Sequence, residues 1–191
     1  NAVYGFLNIM FKILDEEKPE YLTVTFDVHA PTFRHEMFAD YKGTRKPMAE
    51  ELRQQVPVIK DVLRAMHIEV IEKAGLEADD LLGTLSHRCE ENGMDVSIIS
   101  GDRDTLQLAT EHIKIRIPKT KQGKTEVEDY YASDVQERYG VTPKEFIDVK
   151  ALMGDTADNI PGVPGVGEKT ATKIIQQYQT IENAYEHVDE L

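Results

Sequence analysis

Short apolar segments alternate with helix-like segments over the first 130 residues, and this alternation constrains the fold more than any other feature. Each apolar segment is rich in Val, Ile and Thr, which predicts a strand; the four segments are 21–26, 68–71, 96–100 and 113–117. Helical periods precede or separate them over 3–14, 52–66 (with an interruption at Pro57) and 78–91. Strands joined by crossover helices form parallel sheets. We therefore expect an α/β domain with a parallel sheet over residues 1–130.

Residues 131–191 have a different pattern, with helical segments, tight glycine turns and no predicted strand. Thr142-Pro-Lys-Glu145 has the spacing of a capping box with proline at the first helical position, and predicts a helix that ends at Met153. The turn Pro161-Gly-Val-Pro-Gly-Val-Gly167 leads into a second predicted helix over 168–177. These signals predict a small helical domain.

Acidic residues follow three of the predicted strands and recur where the helical domain begins. They are Asp27, Glu77, Asp79, Asp80, Asp102, Asp104, Asp155 and Asp158. The carboxyl ends of parallel strands share one sheet edge, so we expect the first three groups to meet in one cleft. Two carboxylates about 5 Å apart repel by roughly 3 kcal/mol at an effective dielectric constant near 20. Oxygen ligands without His or Cys favour Mg²⁺ or Mn²⁺, and two such ions can promote phosphodiester hydrolysis.

Each acidic group also has a structural interpretation. Asp27 at a strand end could be a turn or cap residue. Glu77, Asp79 and Asp80 could simply favour the positive end of a helix. Asp102 and Asp104 could begin a calcium loop, although the later residues of such a loop are missing. The combination of four groups favours the metal interpretation.

Basic and aromatic residues cluster in two segments. In residues 34–60, six basic side chains lie near Phe33, Phe38 and Tyr41, which could stack on bases or simply pack. Residues 113–125 carry five basic side chains and no acid; an exposed hairpin with solubilising lysines is favoured over a nucleic-acid ribbon. The glycine turn at 161–167 could present backbone N–H groups to an anion, with Lys169 and Thr170 as further donors, or be a tight interhelical turn.

Composition excludes several classes of protein. A formal net charge of −13 argues against binding nucleic acid or membrane by bulk charge. The single cysteine, Cys89, excludes an internal disulfide and a cysteine-built zinc site. No apolar run reaches the ~20 residues of a membrane span. We expect a cytoplasmic protein that does not bind membranes.

Six motifs resemble the 5′-nuclease domains of bacterial DNA polymerase I, in the flap endonuclease family. They are Phe26-Asp27, Thr32-Phe-Arg-His-Glu36, Tyr41-Lys-Gly-Thr-Arg45, Glu77-Ala-Asp-Asp80, Ser100-Gly-Asp-Arg-Asp104 and the long run from Gly154 to Ala171. The resemblance covers nearly the whole chain. It implies a PIN-like α/β domain over 1–130 and a helix–three-turn–helix domain over 131–191.

The resemblance also assigns roles. It implies that the eight acidic residues above are metal ligands for about two ions and that Lys42 and Arg45 reach the scissile phosphate. It implies that Arg34 and Tyr41 steer and stack the 5′ strand, and that the 161–167 turn holds a K⁺ ion. The proposed contacts of that turn with duplex DNA involve Gly162, Gly165, Gly167, Lys169 and Thr170. Members of the family begin with a strand ending in Asp-Gly, so we expect that strand and one carboxylate ligand to be absent here.

The first functional hypothesis is a monomeric Mg²⁺- or Mn²⁺-dependent 5′-3′ exonuclease and flap endonuclease that acts on DNA with a 5′ flap or 5′ end. It would use a two-metal mechanism and serve replication and repair beside a polymerase domain. The alternative is a DNA-binding module without catalysis, which the expected loss of the first strand favours. A phosphatase that uses Asp102 or Asp104 as nucleophile is a third possibility, but it leaves the basic segment and the glycine turn unexplained.

Overall fold

The computed structural model describes residues 2–121 and 124–190, and the side chains of Thr120, Lys121 and Lys124 lie outside the description. Two of the basic side chains noted at 113–125 are therefore not described. The chain divides into two compact units. Unit 1 comprises Asn1–Met37 and Lys46–Leu82, and unit 2 comprises Phe38–Arg45 and Gly83–Leu191. The predicted domain boundary between residues 130 and 131 stays a prediction.

Unit 1 is built on a short parallel strand pair. Helix α1 (Ala2–Glu17) precedes strand β1 (Thr23–Thr25), which pairs with β2 (Glu69–Ile71). The predicted strand over 21–26 is shorter than expected and its residues are exposed or half-buried, not buried. The hydrophobic core of this unit contains Met10, Ile59 and Leu63. Apolar residues of α1, β1 and β2 pack against those three side chains, because the apolar stripe of each helix faces the strand pair.

The segment between β1 and β2 is more helical than the sequence indicated. Helix α2 (Phe33–Met37) lies within residues 27–47, where the sequence predicts a long loop. Helices α3 (Glu50–Arg53) and α4 (Gln55–Ala65) follow, separated at Gln54. The helical segment is interrupted at Gln54, three residues before the predicted interruption at Pro57. Pro57 lies instead in the first turn of α4. A proline costs no helix hydrogen bond there.

Helix α5 (Ala78–Glu91) has the predicted bounds. Gly93 takes a positive φ of 76° two residues after the helix, a conformation that glycine adopts without strain. The first residues of α5 belong to unit 1 and the residues from Gly83 onward belong to unit 2.

Unit 2 contains a mixed three-stranded sheet. Strand β3 (Val96–Ile99) is parallel to β4 (Ile113–Lys121), and β4 is antiparallel to β5 (Lys124–Tyr130). The expected parallel pairing is found between β3 and β4, and β5 adds an antiparallel edge strand, since strands joined by a hairpin run antiparallel. A short 3-10 helix (Arg103–Leu108) lies between β3 and β4, where the sequence predicts a short helix over Arg103–Ala109.

The rest of unit 2 is mainly helical. Its elements are α6 (Ala132–Tyr139), α7 (Pro143–Met153), α8 (Glu168–Tyr178), α9 (Ile181–Glu186) and a final 3-10 turn (Val188–Glu190). The predicted capping box of α7 is confirmed: the Thr142 hydroxyl accepts from the Glu145 N–H at 3.3 Å, and the Glu145 carboxylate accepts from the Thr142 N–H at 2.8 Å. Helix α7 packs against α8 and against the first 3-10 helix.

A two-residue strand pair follows α7, where the sequence predicted none. Strand β6 (Gly154–Asp155) pairs with β7 (Ile160–Pro161) in antiparallel fashion. The pairing brings two glycines into close contact: a Cβ on Gly162 would lie 2.3 Å from the Met153 carbonyl carbon, and a Cβ on Gly154 would lie 2.3 Å from the Gly162 nitrogen. Gly154 also has a φ of 72°. Glycine is therefore required at both positions.

In the part of the chain that the structure describes, no helix is long and apolar enough to cross a membrane.

Candidate metal centre and nucleic-acid contacts

Unit 1 places four of the predicted ligands around the start of α5. Asp27, two residues after β1, accepts the Ala78 N–H at 2.7 Å through Oδ1. Asp80 accepts the Glu77 N–H at 2.8 Å through Oδ2. Asp79 is exposed on the same turn. These carboxylates satisfy N–H groups at the positive end of the helix, so the structural interpretation describes part of their role.

Arg34 lies against this group of carboxylates. Its Nη1 is 2.8 Å from Asp80 Oδ2, its Nη2 is 2.7 Å from Asp80 Oδ1, and Nη1 is 3.9 Å from a Glu77 carboxylate oxygen. The guanidinium also stands 4.5 Å from the ring centre of Phe33. In such a bidentate pair, two parallel N–H···O bonds fix the orientation of the guanidinium relative to the carboxylate. The structure thus gives Arg34 a carboxylate partner, and its role in steering a DNA strand stays a prediction.

Unit 2 gathers the other four predicted ligands around a cavity of about 440 Å³. The lining combines acidic and basic side chains: Asp102, Asp104, Asp155, Asp158, Arg45, Arg103 and Lys150. The Asp102 carboxylate accepts the Asp104 N–H at 2.9 Å and so begins the 3-10 helix. Asp155 Oδ1 accepts the N–H groups of Ala157 at 2.7 Å and Asp158 at 3.1 Å. The backbone therefore fixes the orientation of two of these carboxylates.

Lys150, in the last turn of α7, and Arg103 are charged cavity residues that the sequence analysis did not assign to the site. The Nζ of Lys150 lies 3.0 Å from Asp104 Oδ1 and 2.9 Å from Asp155 Oδ2. Its side chain is 26% exposed. The available signal was a lysine at the end of an otherwise apolar helix face, four residues before the Gly-Asp pair. That pattern alone does not distinguish a lysine that pairs with the predicted metal ligands from a solvated lysine.

The carboxylates beside Lys150 have pKa values shifted in opposite directions. Burial raises the pKa of Asp104 above its ordinary value, and the Lys150 ammonium offsets this only in part. Burial also acts to raise the pKa of Asp155, but Lys150 and the Asp158 N–H outweigh it and lower that pKa. Burial would lower the pKa of Lys150, yet its bonds to the two carboxylates raise it. The cavity therefore holds charged groups that neutralise one another.

The segment Phe38–Arg45 carries three of the predicted DNA-contacting or catalytic residues. Tyr41 is 5% exposed and its hydroxyl donates to Asp158 Oδ2 at 3.2 Å. Arg45 is paired with Asp158 through Nη2, and its Nε donates to the Ala157 carbonyl at 3.1 Å. The Lys42 N–H donates to the Asp158 carbonyl at 2.8 Å. The buried ring of Tyr41 favours a packing role, so its stacking on a base stays a prediction.

The glycine turn before α8 is exposed at most of its predicted contact positions. Gly165, Gly167, Lys169 and Thr170 are exposed, and Gly165 has a φ of 81°. Gly167 is the N-cap residue of α8. Gly162 instead packs against the end of α7. The turn therefore presents the first backbone N–H groups of an 11-residue helix at the protein surface.

The predicted exposed hairpin at 113–125 is confirmed as a hairpin, but its described cations are paired rather than free for solvent. Arg116 is 6% exposed and bonds Asp129 at 2.7 Å. Lys119 bonds Glu128 at 2.6 Å. Acidic residues of β5 thus balance these basic residues of β4: Asp129 lies directly opposite Arg116, and Glu128 lies diagonally across from Lys119.

The donor set fits hard divalent cations, because all eight predicted ligands offer carboxylate oxygen and none offers sulfur or imidazole. Within residues 2–121 and 124–190, no three Asp, Glu, His or Cys side chains are already arranged to hold a metal ion. Lys150, Arg45 and Arg34 instead occupy carboxylate oxygens. A metal ion at Asp80, Asp104, Asp155 or Asp158 would therefore compete with a basic side chain for a carboxylate oxygen.

Family models match both parts of the chain. The model for the 5′-3′ exonuclease N-terminal resolvase-like domain matches residues 1–140, and the model for the 5′-3′ exonuclease C-terminal SAM fold matches residues 141–191. The chain belongs to the 5′-3′ exonuclease family. The fold class and the family expected from the motifs are confirmed.

The chain is also similar in sequence to bacterial DNA polymerases I. DNA polymerase I of Bacillus caldotenax is 49% identical over 191 residues, which is 100% of this chain and 22% of that protein. The Bacillus subtilis enzyme is 48% identical with the same coverage. The chain thus spans about a fifth of the length of the curated relatives it matches.

Solved structures share the fold. T5 5′-exonuclease, described with divalent metal ions (zinc) bound, gives a TM-score of 0.80 at 25% identity and covers 97% of this chain and 70% of that one. The catalytic core of Rad2, described in complex with a DNA substrate, gives a TM-score of 0.63 at 21% identity over 96% of this chain and 55% of that one. The second likeness shows the fold alone.

Proposed function

We propose that this chain is a divalent-metal-dependent nuclease domain that hydrolyses DNA phosphodiester bonds at 5′ ends and 5′ flaps. The observation that carries the proposal is the unit 2 cavity, in which Asp102, Asp104 and Asp155 lie together with cationic side chains. Membership of the 5′-3′ exonuclease family supports the reaction, and the metal-bound T5 5′-exonuclease supports the cofactor.

The predicted ligands would hold Mg²⁺ or Mn²⁺, in two sites. Asp102, Asp104, Asp155 and Asp158 form the group in unit 2, and Asp27, Glu77, Asp79 and Asp80 form the group in unit 1. When bound, such ions lower the pKa of water and stabilise the leaving oxygen of a phosphodiester. The convergence of the two groups is part of the proposal.

The basic residues of this chain would bind and orient the substrate. Arg45 is half-exposed at the cavity and can transfer its guanidinium from Asp158 to a phosphate, which offers the same planar pair of oxygens. Lys42 would neutralise charge that develops on the phosphate during hydrolysis. The turn before α8 would hold the duplex backbone through N–H groups, a contact that ignores base sequence.

We also propose that this domain functions as part of a longer polymerase chain. The relatives that match over 22% of their length are named DNA polymerase I, which supports a role beside a polymerase domain in replication and repair. We place the protein in the cytoplasm as a monomer.

Cleavage of a 5′-labelled flap DNA tests the proposal. We expect cutting with Mg²⁺ or Mn²⁺ and none with a chelator. Asp102→Ala should abolish cutting while flap binding stays within a few fold of the wild type, because the carboxylate contributes to the metal site and not to DNA affinity. Asp95→Ala, which removes a carboxylate that is 90% exposed and outside the cavity, is the matched control. Normal cutting by Asp102→Ala would overturn the metal assignment.

A DNA-binding module without catalysis is the second candidate. The pairing of Asp80, Asp104 and Asp155 with basic side chains favours it, since those carboxylates are already neutralised. Binding of the flap DNA without cleavage at any Mg²⁺ or Mn²⁺ concentration would identify this function.

A further inference from the structure

Lys150 joins two carboxylates that come from different parts of unit 2. Asp104 belongs to the 3-10 helix after β3, and Asp155 belongs to β6 after α7. Lys150 extends from α7 and places one nitrogen within hydrogen-bonding distance of an oxygen of each. A single ammonium group therefore links two elements that otherwise present like charges to each other.

The two carboxylates are differently restrained. Asp155 Oδ1 accepts two backbone N–H groups, so this side chain keeps its orientation whether or not Lys150 is present. Its Oδ2 contacts Lys150. The Asp104 carboxylate contacts the same lysine through Oδ1. A cation that replaced the ammonium would thus find the Asp155 carboxylate already oriented by the backbone.

The limited exposure of Lys150 argues against a purely solvated side chain. Lys150 is mostly buried at the cavity wall, whereas Lys144 on the same helix is exposed. Lysine ammonium groups are strongly hydrated, so their partial burial is favourable only with close anionic partners. The two carboxylates supply that compensation.

We propose that Lys150 is a resident cation that neutralises Asp104 and Asp155 in the metal-free chain and that a divalent ion must displace it. The inference rests on the proposed function, because it assigns the competing ligand of the same metal centre. Lys150 is accordingly a positioning residue: it keeps the two carboxylates near each other before metal arrives, at the cost of metal affinity. Removing its charge should tighten divalent-ion binding and weaken the metal-free fold.

Mn²⁺ binding, followed by the electron paramagnetic resonance of the free ion, is the first measurement. We expect Lys150→Met to bind Mn²⁺ at least tenfold more tightly than the wild type. Lys150→Gln, which keeps an N–H donor without the charge, should shift affinity in the same direction and serves if the Met variant does not fold. Lys150→Arg keeps the charge and should stay within a few fold of wild-type affinity.

Thermal unfolding in chelator is the second measurement, and it does not depend on catalysis. Lys150→Met and Lys150→Gln should unfold at a lower temperature than the wild type without metal and recover that difference in Mn²⁺. Lys144→Met is the matched control, since it removes the same charge from an exposed position of the same helix. It should change neither Mn²⁺ affinity nor the response to metal.

The outcomes separate the two proposals. If the wild type binds Mn²⁺ and cuts flap DNA, but Lys150→Met and Lys150→Gln bind the ion equally or more weakly, the displacement proposal is overturned and the nuclease proposal stands. If no variant binds Mn²⁺ and the wild type cuts nothing, both are overturned. Tighter binding by both charge-removing variants, with wild-type behaviour of Lys144→Met, supports the proposal.

Discussion

The guanidinium of Arg34 donates hydrogen bonds to both carboxylate oxygens of Asp80, at 2.8 Å and 2.7 Å, and Asp80 lies in the first turn of helix α5. Asp80 at the same time accepts the Glu77 N–H. One carboxylate therefore connects helix α2, which carries Arg34, to the start of α5. This connection makes the pair a stabilising contact of unit 1 as well as a candidate part of the metal centre.

The Arg34–Asp80 contact should be measurable as a coupling energy. Urea unfolding of Arg34→Met, Asp80→Asn and the double variant should give an interaction of about 1 kcal/mol, because the pair is bidentate but partly exposed. Arg34→Lys should recover only part of it, since a lysine ammonium cannot match two oxygens at once. Additive effects of the two single substitutions would show that the contact contributes nothing to stability.

Gly162 should tolerate no side chain. Gly162→Ala places a Cβ 2.3 Å from the Met153 carbonyl carbon, so the turn must move away from α7. We expect a loss of about 1–3 kcal/mol in unfolding free energy, typical of overpacking, together with weaker binding of duplex DNA. The matched control is Gly167→Ala, whose Cβ would meet nothing within 4 Å and whose φ of −97° suits alanine. Equal stability of the two variants would contradict the close approach seen here.

Tyr130 should make stability fall at high pH. Burial, followed by the hydrogen bond to Glu128, raises the pKa of Tyr130 to about 12, whereas an unfolded tyrosine titrates near 10. The folded chain thus favours the neutral phenol, and the stabilisation is complete below about pH 10 and is lost as pH rises from 10 to 12.

Unfolding free energies measured across that pH range test this expectation. The wild type should lose stability more steeply than Tyr130→Phe, and Glu128→Gln should lower the pH at which Tyr130 ionises. Tyr185→Phe, which removes a phenol that is 69% exposed, is the control and should keep the wild-type slope. Identical slopes for the wild type and Tyr130→Phe would contradict the raised pKa.

The sequence predicted those elements whose signals are local. Helix α5 and helix α7 have the expected bounds because their end signals are local: Gly93 follows α5, and Thr142 and Gly154 cap α7. The 3-10 helix after β3 follows from the cap formed by Asp102. In each case the hydrogen bonds that set the element join residues close in the chain.

The sequence did not predict features that depend on partners distant in the chain. The local pattern around Lys150 did not identify its role, since its partner Asp104 lies 46 residues away and only packing of α7 on the 3-10 helix brings them together. The sequence left open whether Tyr41 packs or stacks on bases for the same reason, because its hydroxyl bonds Asp158, which is distant in the chain. The charge balance of the hairpin required the register that places Asp129 opposite Arg116.

The eight predicted metal ligands illustrate both cases. Their positions after strands were readable from local pattern, and the structure groups four in each unit. Their meeting at a single centre stays a prediction, because it depends on the arrangement of the two units. Their pairing with basic residues could not be foreseen from spacing along the chain.

The backbone contact between Gly154 and Gly162 limits how the adjoining turn can be engineered. With only hydrogen atoms between Met153, Gly154 and Gly162, a randomised library that varied positions 154 and 162 would consist mostly of misfolded members. Diversity is better introduced at 163, 164 and 166–170, whose exposed or half-exposed side chains can change without disturbing the end of α7. The proposed contact of this turn with duplex DNA can therefore be varied at those positions while the end of α7 is retained.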